Sequence, residues 1–182
     1  MPVYIAMLRG INVGGHHRIK MDQLRTSLEA LGLVQVKTYI QSGNVVFKAA
    51  KISPAALSKK IESQIVAQFG FSASVISRTA EEIAATVENN PLLNRRGIDR
   101  EKLHVAFLSE APESSAVQKL ADLTLAPDQS LALGKEVYLY FPNGVSNSSL
   151  WKHPLDRVLS VITTTRNWKT VCTLHQMCLD CH

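Results

Sequence analysis

Hydrophobic positions along the chain change period repeatedly, and those changes divide it into two similar halves. Val3 to Leu8 is a short run rich in β-branched and aromatic residues, which predicts a strand. A glycine-rich loop follows, and then Met21, Leu24, Leu28 and Leu31 recur at helical spacing up to Gly32. Val36 to Ile40 and Asn44 to Phe47 are β-type runs separated by Gln41, Ser42 and Gly43, the pattern of a hairpin. Ser53 and Pro54 have the chemistry of an N-cap and first helical residue, Leu57, Ile61, Ile65 and Phe69 mark a buried face, and Gly70 supplies a stop. A fourth strand is expected at Ser74 to Ser77, and Thr79 with Glu82 forms a capping box for a helix that ends before Pro91.

The order then restarts. Leu103 to Leu108 predicts a strand, Glu113 to Leu123 a helix, Leu131 to Leu133 with Glu136 to Phe141 a hairpin, and Trp151 to Leu159 a second helix. Val161 to Thr165 closes the unit, and Trp168 to Met177 trails it as a helix. The strand Val75–Thr79 leads into a helix much as Val161–Thr165 does, so these segments are expected to correspond. The fold class expected is α+β, with tandem ferredoxin-like (βαββαβ) lobes and antiparallel sheets carrying helices on one face. The lobes are expected over residues 1–90 and 103–177, joined by a polar, basic linker at 91–102 and followed by a flexible tail at 178–182.

Composition narrows the class. Of 182 residues, 46% are hydrophobic and 19% charged, ordinary usage for a packed protein that needs no staple. The apolar opening run ends at Arg9, too short for a leader or a membrane span, so a cytoplasmic location without membrane association is expected. Cys172, Cys178 and Cys181 all fall near the end, which excludes a disulfide framework within the body of the fold. The net charge of +5 resides in residues 1 to 51, where seven Lys and Arg face only Asp22 and Glu29. Such a region suits an anionic small molecule or a nucleic acid as partner.

Chemistry concentrates in the segment Arg9, Gly10, Ile11, Asn12, Val13, Gly14, Gly15, His16, His17, which joins a strand to a helix where a phosphate loop would lie. Gly10 and Gly15 match the glycines of a Walker A motif, but His16 and His17 stand where Lys and Ser or Thr are required. Nucleotide hydrolysis of that type is therefore not expected. A looser anion site built from backbone N–H groups, Arg9, Arg18 and Lys20 remains open, beside a purely structural reading in which the glycines satisfy positive φ. The ligand-binding set expected is Arg9, Gly10, Asn12, Gly14, Gly15, Lys20, Gln41, Ser42, Asn44, Arg166 and Asn167, polar groups set in turns where packing does not demand them. An enzyme acting on a small metabolite at the same cleft and a nucleic-acid-binding or scaffold module are the alternatives; no catalytic residue is assigned.

Other signals are weaker. Val3 to Leu8 with Val45, Val46 and Phe47 resembles the first and third strands of RNA-recognition domains, which stack bases on sheet aromatics, though Tyr4, Tyr39 and Phe47 are equally explained by packing. His104 lies in an apolar strand and reads as a core or edge histidine. No HExxH or GxSxG spacing occurs. Cys178, Leu179, Asp180, Cys181 and His182 match a CxxCH haem-attachment pattern, with Cys172 and His175 just upstream. Haem attachment requires export, so a frayed tail is expected, with zinc or nickel binding as the alternative; neither a cofactor nor a metal is expected.

Several strings together resemble one bacterial family, domain of unknown function 1697. They are Leu8-Arg9-Gly10-Ile11-Asn12-Val13-Gly14-Gly15, Lys20-Met21, Thr38 to Phe47, Asn90-Pro91-Leu92, Tyr138 with Pro142-Asn143-Gly144, and Thr164 to Trp168. The resemblance implies the tandem ferredoxin-like fold and carries no activity, cofactor or catalytic residue. The chain departs from the family pattern at His16, where Lys is common, at Ser149, where a basic residue is common, and at Pro154, which interrupts a helix.

Overall fold

The structure is a computed structural model that describes residues 1–181. It is α+β, with two four-stranded antiparallel sheets and six α-helices among the described residues. The first sheet has the order β2-β3-β1-β4, formed by β1 (Val3–Leu8), β2 (Val34–Tyr39), β3 (Asn44–Lys48) and β4 (Val75–Thr79). α1 (Met21–Glu29) connects β1 to β2, and α2 (Pro54–Phe69) connects β3 to β4. The second sheet repeats this as β6-β7-β5-β8, from β5 (Leu103–Leu108), β6 (Gln129–Leu133), β7 (Glu136–Tyr140) and β8 (Thr163–Asn167). Its helices are α4 (Ser114–Leu123) and α5 (Leu155–Leu159); α3 (Ala80–Glu88) and α6 (Trp168–Leu179) follow β4 and β8. No described helix is long and apolar enough to cross a membrane.

Contacts divide the chain into a unit of residues 1–85 with those from 173 onward and a unit of residues 86–172. In the first, alternation along β1 sends Tyr4, Ala6 and Leu8 to the helical side, where they pack with Leu24, Leu28, Leu57, Ile61 and Ile65 of α1 and α2. α2 is delimited as its ends demand: Ser53 Oγ accepts from Ala56 N at 3.3 Å, Pro54 occupies the first turn, and Gly70 closes it in the left-handed region. The outer edge of β4 is occupied by the same helix, because Glu62 accepts from Val75 N at 2.8 Å and Ser58 Oγ from Ser77 N at 3.0 Å. Those side chains satisfy edge donors that would otherwise invite another strand.

The aromatic pair that suggested an RNA-stacking surface belongs to the helical side. Tyr4 is 2% and Phe47 0% exposed, and the Tyr4 hydroxyl donates to Ile52 O at 2.8 Å. Neither ring presents a face on which a base could stack.

In the second unit, Ala106, Leu108, Val137 and Leu139 pack against Leu120 of α4 and Val158 and Leu159 of α5. The single helix expected over Trp151–Leu159 is instead a 3-10 turn, Ser149–Lys152, followed by the five-residue α5. Pro154 is the cause: it disfavours helical geometry at His153, which adopts φ −122° and ψ 84°. The register also corrects the expected correspondence between halves. Leu8 pairs with Val75 and Leu108 with Thr163, so Val75 corresponds to Thr163, two residues beyond Val161. Arg78 then corresponds to Arg166, and Thr79 to Asn167. Both positions cap a helix, since Thr79 Oγ1 accepts from Glu82 N and Asn167 Oδ1 from Thr170 N.

Through Cys181 the chain end is packed rather than frayed. α6 continues through Leu179, and Cys178 and Cys181 are 4% and 3% exposed. Burial pushes the Cys178 thiol up to about 12, with Cys181 and Glu81 adding to the shift. Among the described residues no three His, Cys, Asp or Glu side chains gather to hold a metal, and His182, the last residue of the CxxCH string, lies outside the described residues. His104 is half-buried, and burial lowers its pKa, favouring the neutral ring expected of a packed histidine.

Two outcomes follow from this packing. A Cβ added at Gly43, whose φ is +77°, would lie 2.7 Å from Ile11 Cδ1 and 2.8 Å from Leu8 Cβ. Gly43→Ala should therefore cost about 2 kcal/mol or more in urea denaturation, against about 1 kcal/mol for Gly14→Ala, which meets no atom within 4 Å. The raised Cys178 pKa means the folded state favours the thiol, so its contribution to stability is present below pH 9.0, the ordinary value, and is lost as pH rises above it. At pH 8, iodoacetamide should label Cys178 slowly in the native protein and promptly in urea, as read by peptide mass spectrometry.

Candidate anion site at the start of the first helix

The loop after β1 is a small hairpin. Arg9 N donates to Ser74 O at 2.9 Å, anchoring the loop where it leaves the sheet. Asn12 N then donates to His17 O at 3.1 Å, and His16 N to Val13 O at 3.2 Å. The turn between them needs positive φ at both central residues, and Gly14 and Gly15 provide +60° and +78°. These two glycines are thus accounted for by backbone geometry alone.

Asn12 holds the loop to its surroundings. Its Oδ1 accepts from Ile19 N at 2.9 Å, while Nδ2 donates to Ile19 O at 2.9 Å and to Gln41 O at 2.8 Å. One carboxamide therefore clamps the segment entering α1 and the β2–β3 turn together. Asn12 itself adopts φ +54°, a conformation that asparagine tolerates better than most residues.

The clamp lies at a cavity of about 810 Å³ lined by Asn12, Gly15, Arg18, Lys20, Gln23 and Gln41, with Ile19, Met21 and Asp22. Two cations, Arg18 and Lys20, face one carboxylate, Asp22. The cavity sits at the N-terminus of α1, where Lys20 occupies the N-cap position without a side-chain cap bond. Asp22 takes one backbone donor, Gln23 N at 2.9 Å. Positive side chains together with the positive end of a helix make this the part of the first unit best suited to an anion.

Of the residues expected from sequence, Asn12, Gly15, Lys20 and Gln41 meet in this cavity. Arg9, Gly10 and Gly14 belong to the same loop but do not line it. Asn44 is fully buried, and its Nδ2 donates to Tyr39 O at 3.2 Å and Ser42 Oγ at 2.9 Å, so this pair builds the turn beneath Gln41. Arg166 and Asn167 belong to β8 of the other unit. Arg166 donates to Thr164 Oγ1 at 2.8 Å and to Thr165 O at 3.0 Å, and burial brings its pKa down to about 10, leaving it charged at neutral pH. Met21, Asp22 and Gln23 line the cavity and are not in the ligand-binding set expected from sequence. The available signal was their place in the first helical turn after a basic loop.

The comparisons with known proteins agree with this architecture. Among solved structures, the chain is similar to the conserved bacterial protein SP0830 from Streptococcus pneumoniae, with 29% identity and a TM-score of 0.74. The match covers 97% of this chain and 98% of that one. No curated protein matches the chain. The model of a family described as a protein of unknown function (DUF1697) matches residues 1–138, which include the loop, the Asn12 clamp and the whole lining of the cavity. The chain belongs to the DUF1697 family.

Proposed function

We propose that this protein binds a phosphorylated or otherwise anionic small molecule in the cavity at the start of α1. The observation that carries the reading is the convergence of Arg18, Lys20 and the α1 N-terminus on one cavity. Anions gain there from both the side-chain charges and the oriented peptide dipoles. The Asn12 clamp supports it by fixing the wall in advance, so that little ordering is required on binding. A second cavity in this unit, lined by Arg25, Lys37, Glu29 and Asp180, balances its charges and lacks this bias. The element order βαββαβ and the strand order of each sheet support reading both units as ferredoxin-like lobes, with the site in the first. A cytoplasmic setting, rich in phosphorylated metabolites, suits this reading.

The test is calorimetric titration with inorganic phosphate, sugar phosphates and nucleotides. Arg18→Ala with Lys20→Ala should weaken binding of the preferred ligand about tenfold or more, the loss of one or two charge-assisted hydrogen bonds. Stability should change little, because the side chain of Lys20 is exposed and that of Arg18 lies at the surface, where substitutions shift it by about 0.5 kcal/mol. Equal affinity in the double variant, or no saturable binding by any member of the panel, overturns the proposal. Asn12→Ala should behave differently. It should cost about 1–3 kcal/mol in urea denaturation, because Ile19 and Gln41 lose their common partner, and it should weaken the same ligand indirectly.

A further inference from the structure

A cleft in the unit of residues 86–172 has different chemistry. It encloses about 540 Å³ between Leu125–Asp128 on one side and Asn143–Lys152 on the other. Its walls are tied to each other by Ser149, whose N donates to Asp128 Oδ2 at 3.1 Å and whose Oγ accepts from Leu125 N at 3.0 Å and donates to Leu123 O at 3.0 Å. Ser148 Oγ accepts from Leu150 N at 3.0 Å, and Asn147 Nδ2 donates to Asn143 O at 2.8 Å. Every buried polar group of the floor is therefore engaged in holding the cleft in shape. Asp128, the cleft's carboxylate, is 9% exposed and faces inward to Ser149.

The groups left to a ligand are of two kinds. Trp151 is 63% and Leu125 63% exposed, an apolar surface that folding leaves in water. Lys152 is exposed and has no ion pair among the described residues, and Asn143 and Ser146 line the same cleft. A solvent-exposed indole offers a planar face for stacking, and of the cleft's two opposite charges the Lys152 ammonium is the exposed one while the Asp128 carboxylate is buried against Ser149 N, so a ligand meets the cation first. A ligand satisfying both is planar at one end and anionic at the other, and the volume falls in the range of small-molecule sites.

We infer that this cleft binds a nucleotide, with its base stacked on Trp151 and its phosphate held by Lys152. Asn143 and Ser146 supply donors and acceptors for a base edge or ribose. Its lining shares no residue with the cavity at α1, so the two readings can be tested apart. A free mononucleotide and one residue of a single strand present the same chemistry, and the two are distinguished by experiment.

The probes are adenosine 5′-monophosphate, adenosine, ribose 5-phosphate and a short oligoadenylate, titrated into the full chain by calorimetry and by tryptophan fluorescence. Trp168 is only 6% exposed, so stacking should quench the signal of Trp151. Trp151→Ala should weaken adenosine 5′-monophosphate about tenfold or more, whereas Trp151→Phe, which keeps an aromatic face, should retain most of the affinity. Lys152→Ala should weaken adenosine 5′-monophosphate and leave adenosine unchanged. The Arg18→Ala, Lys20→Ala double variant should leave the Trp151 quench intact, which separates failure here from failure at the other site. Oligoadenylate binding about tenfold tighter than the mononucleotide identifies a strand as the source, and equal binding identifies the free nucleotide. Absence of saturable quenching up to about 5 mM of every probe, or equal binding by Trp151→Ala, overturns the inference.

Discussion

The close approach at Gly43 is the constraint on which the first unit depends. Leu8 N donates to Gly43 O at 2.9 Å, and the space a side chain would need is filled by Leu8 and Ile11. Because no Cβ intervenes, the β2–β3 turn sits directly on the end of β1 and on the loop that leaves it. Gln41 O is thereby brought to 2.8 Å from Asn12 Nδ2, and the clamp can close. A bulkier residue would separate the turn from the loop and take the wall of the cavity with it.

The same economy separates polar residues whose hydrogen bonds are spent inside the protein from those left at its surface. Asn44, Ser42 and Asn12 spend hydrogen bonds inside the protein and so shape the turn and the cavity wall. Arg18 and Lys20 lie at the surface on a wall shaped by those groups. The second unit follows a comparable plan with different residues: Ser149 and Asp128 brace a cleft, and Trp151 and Lys152 are left at its surface. In both cases internal hydrogen bonding positions a few outward groups.

The two halves share an architecture and diverge in what their loops present. The loop after β1 carries Arg9, Arg18 and Lys20, whereas the corresponding segment after β5 carries Glu110 and Glu113. The strands before α3 and α6 keep an arginine at matching register, Arg78 and Arg166, each donating through Nη1 to the preceding carbonyl oxygen at 3.0 Å. Repeated backbone with altered loops is a common way for one scaffold to carry two different surfaces.

The sequence by itself determined the element order, the α+β class and the family, because these rest on local quantities: apolar period, capping chemistry and the strings around Arg9–Gly15 and Thr38–Phe47. Ser53, Pro54 and Gly70 delimited α2 and Thr79 with Glu82 marked a cap, since each acts through bonds three or four residues away. Tertiary structure decided what depends on residues far apart. Asn12 reaches Gln41 only through the approach at Gly43, and Arg18 and Lys20 converge on one cavity only because the loop folds as a hairpin. It also decided that Val75 matches Thr163, since register is fixed by pairing across the sheet. Cys178 and Cys181 lie near the end of the sequence, where fraying is the default, and their burial follows from where the last turn of α6 comes to rest, a long-range packing event that no local pattern encodes.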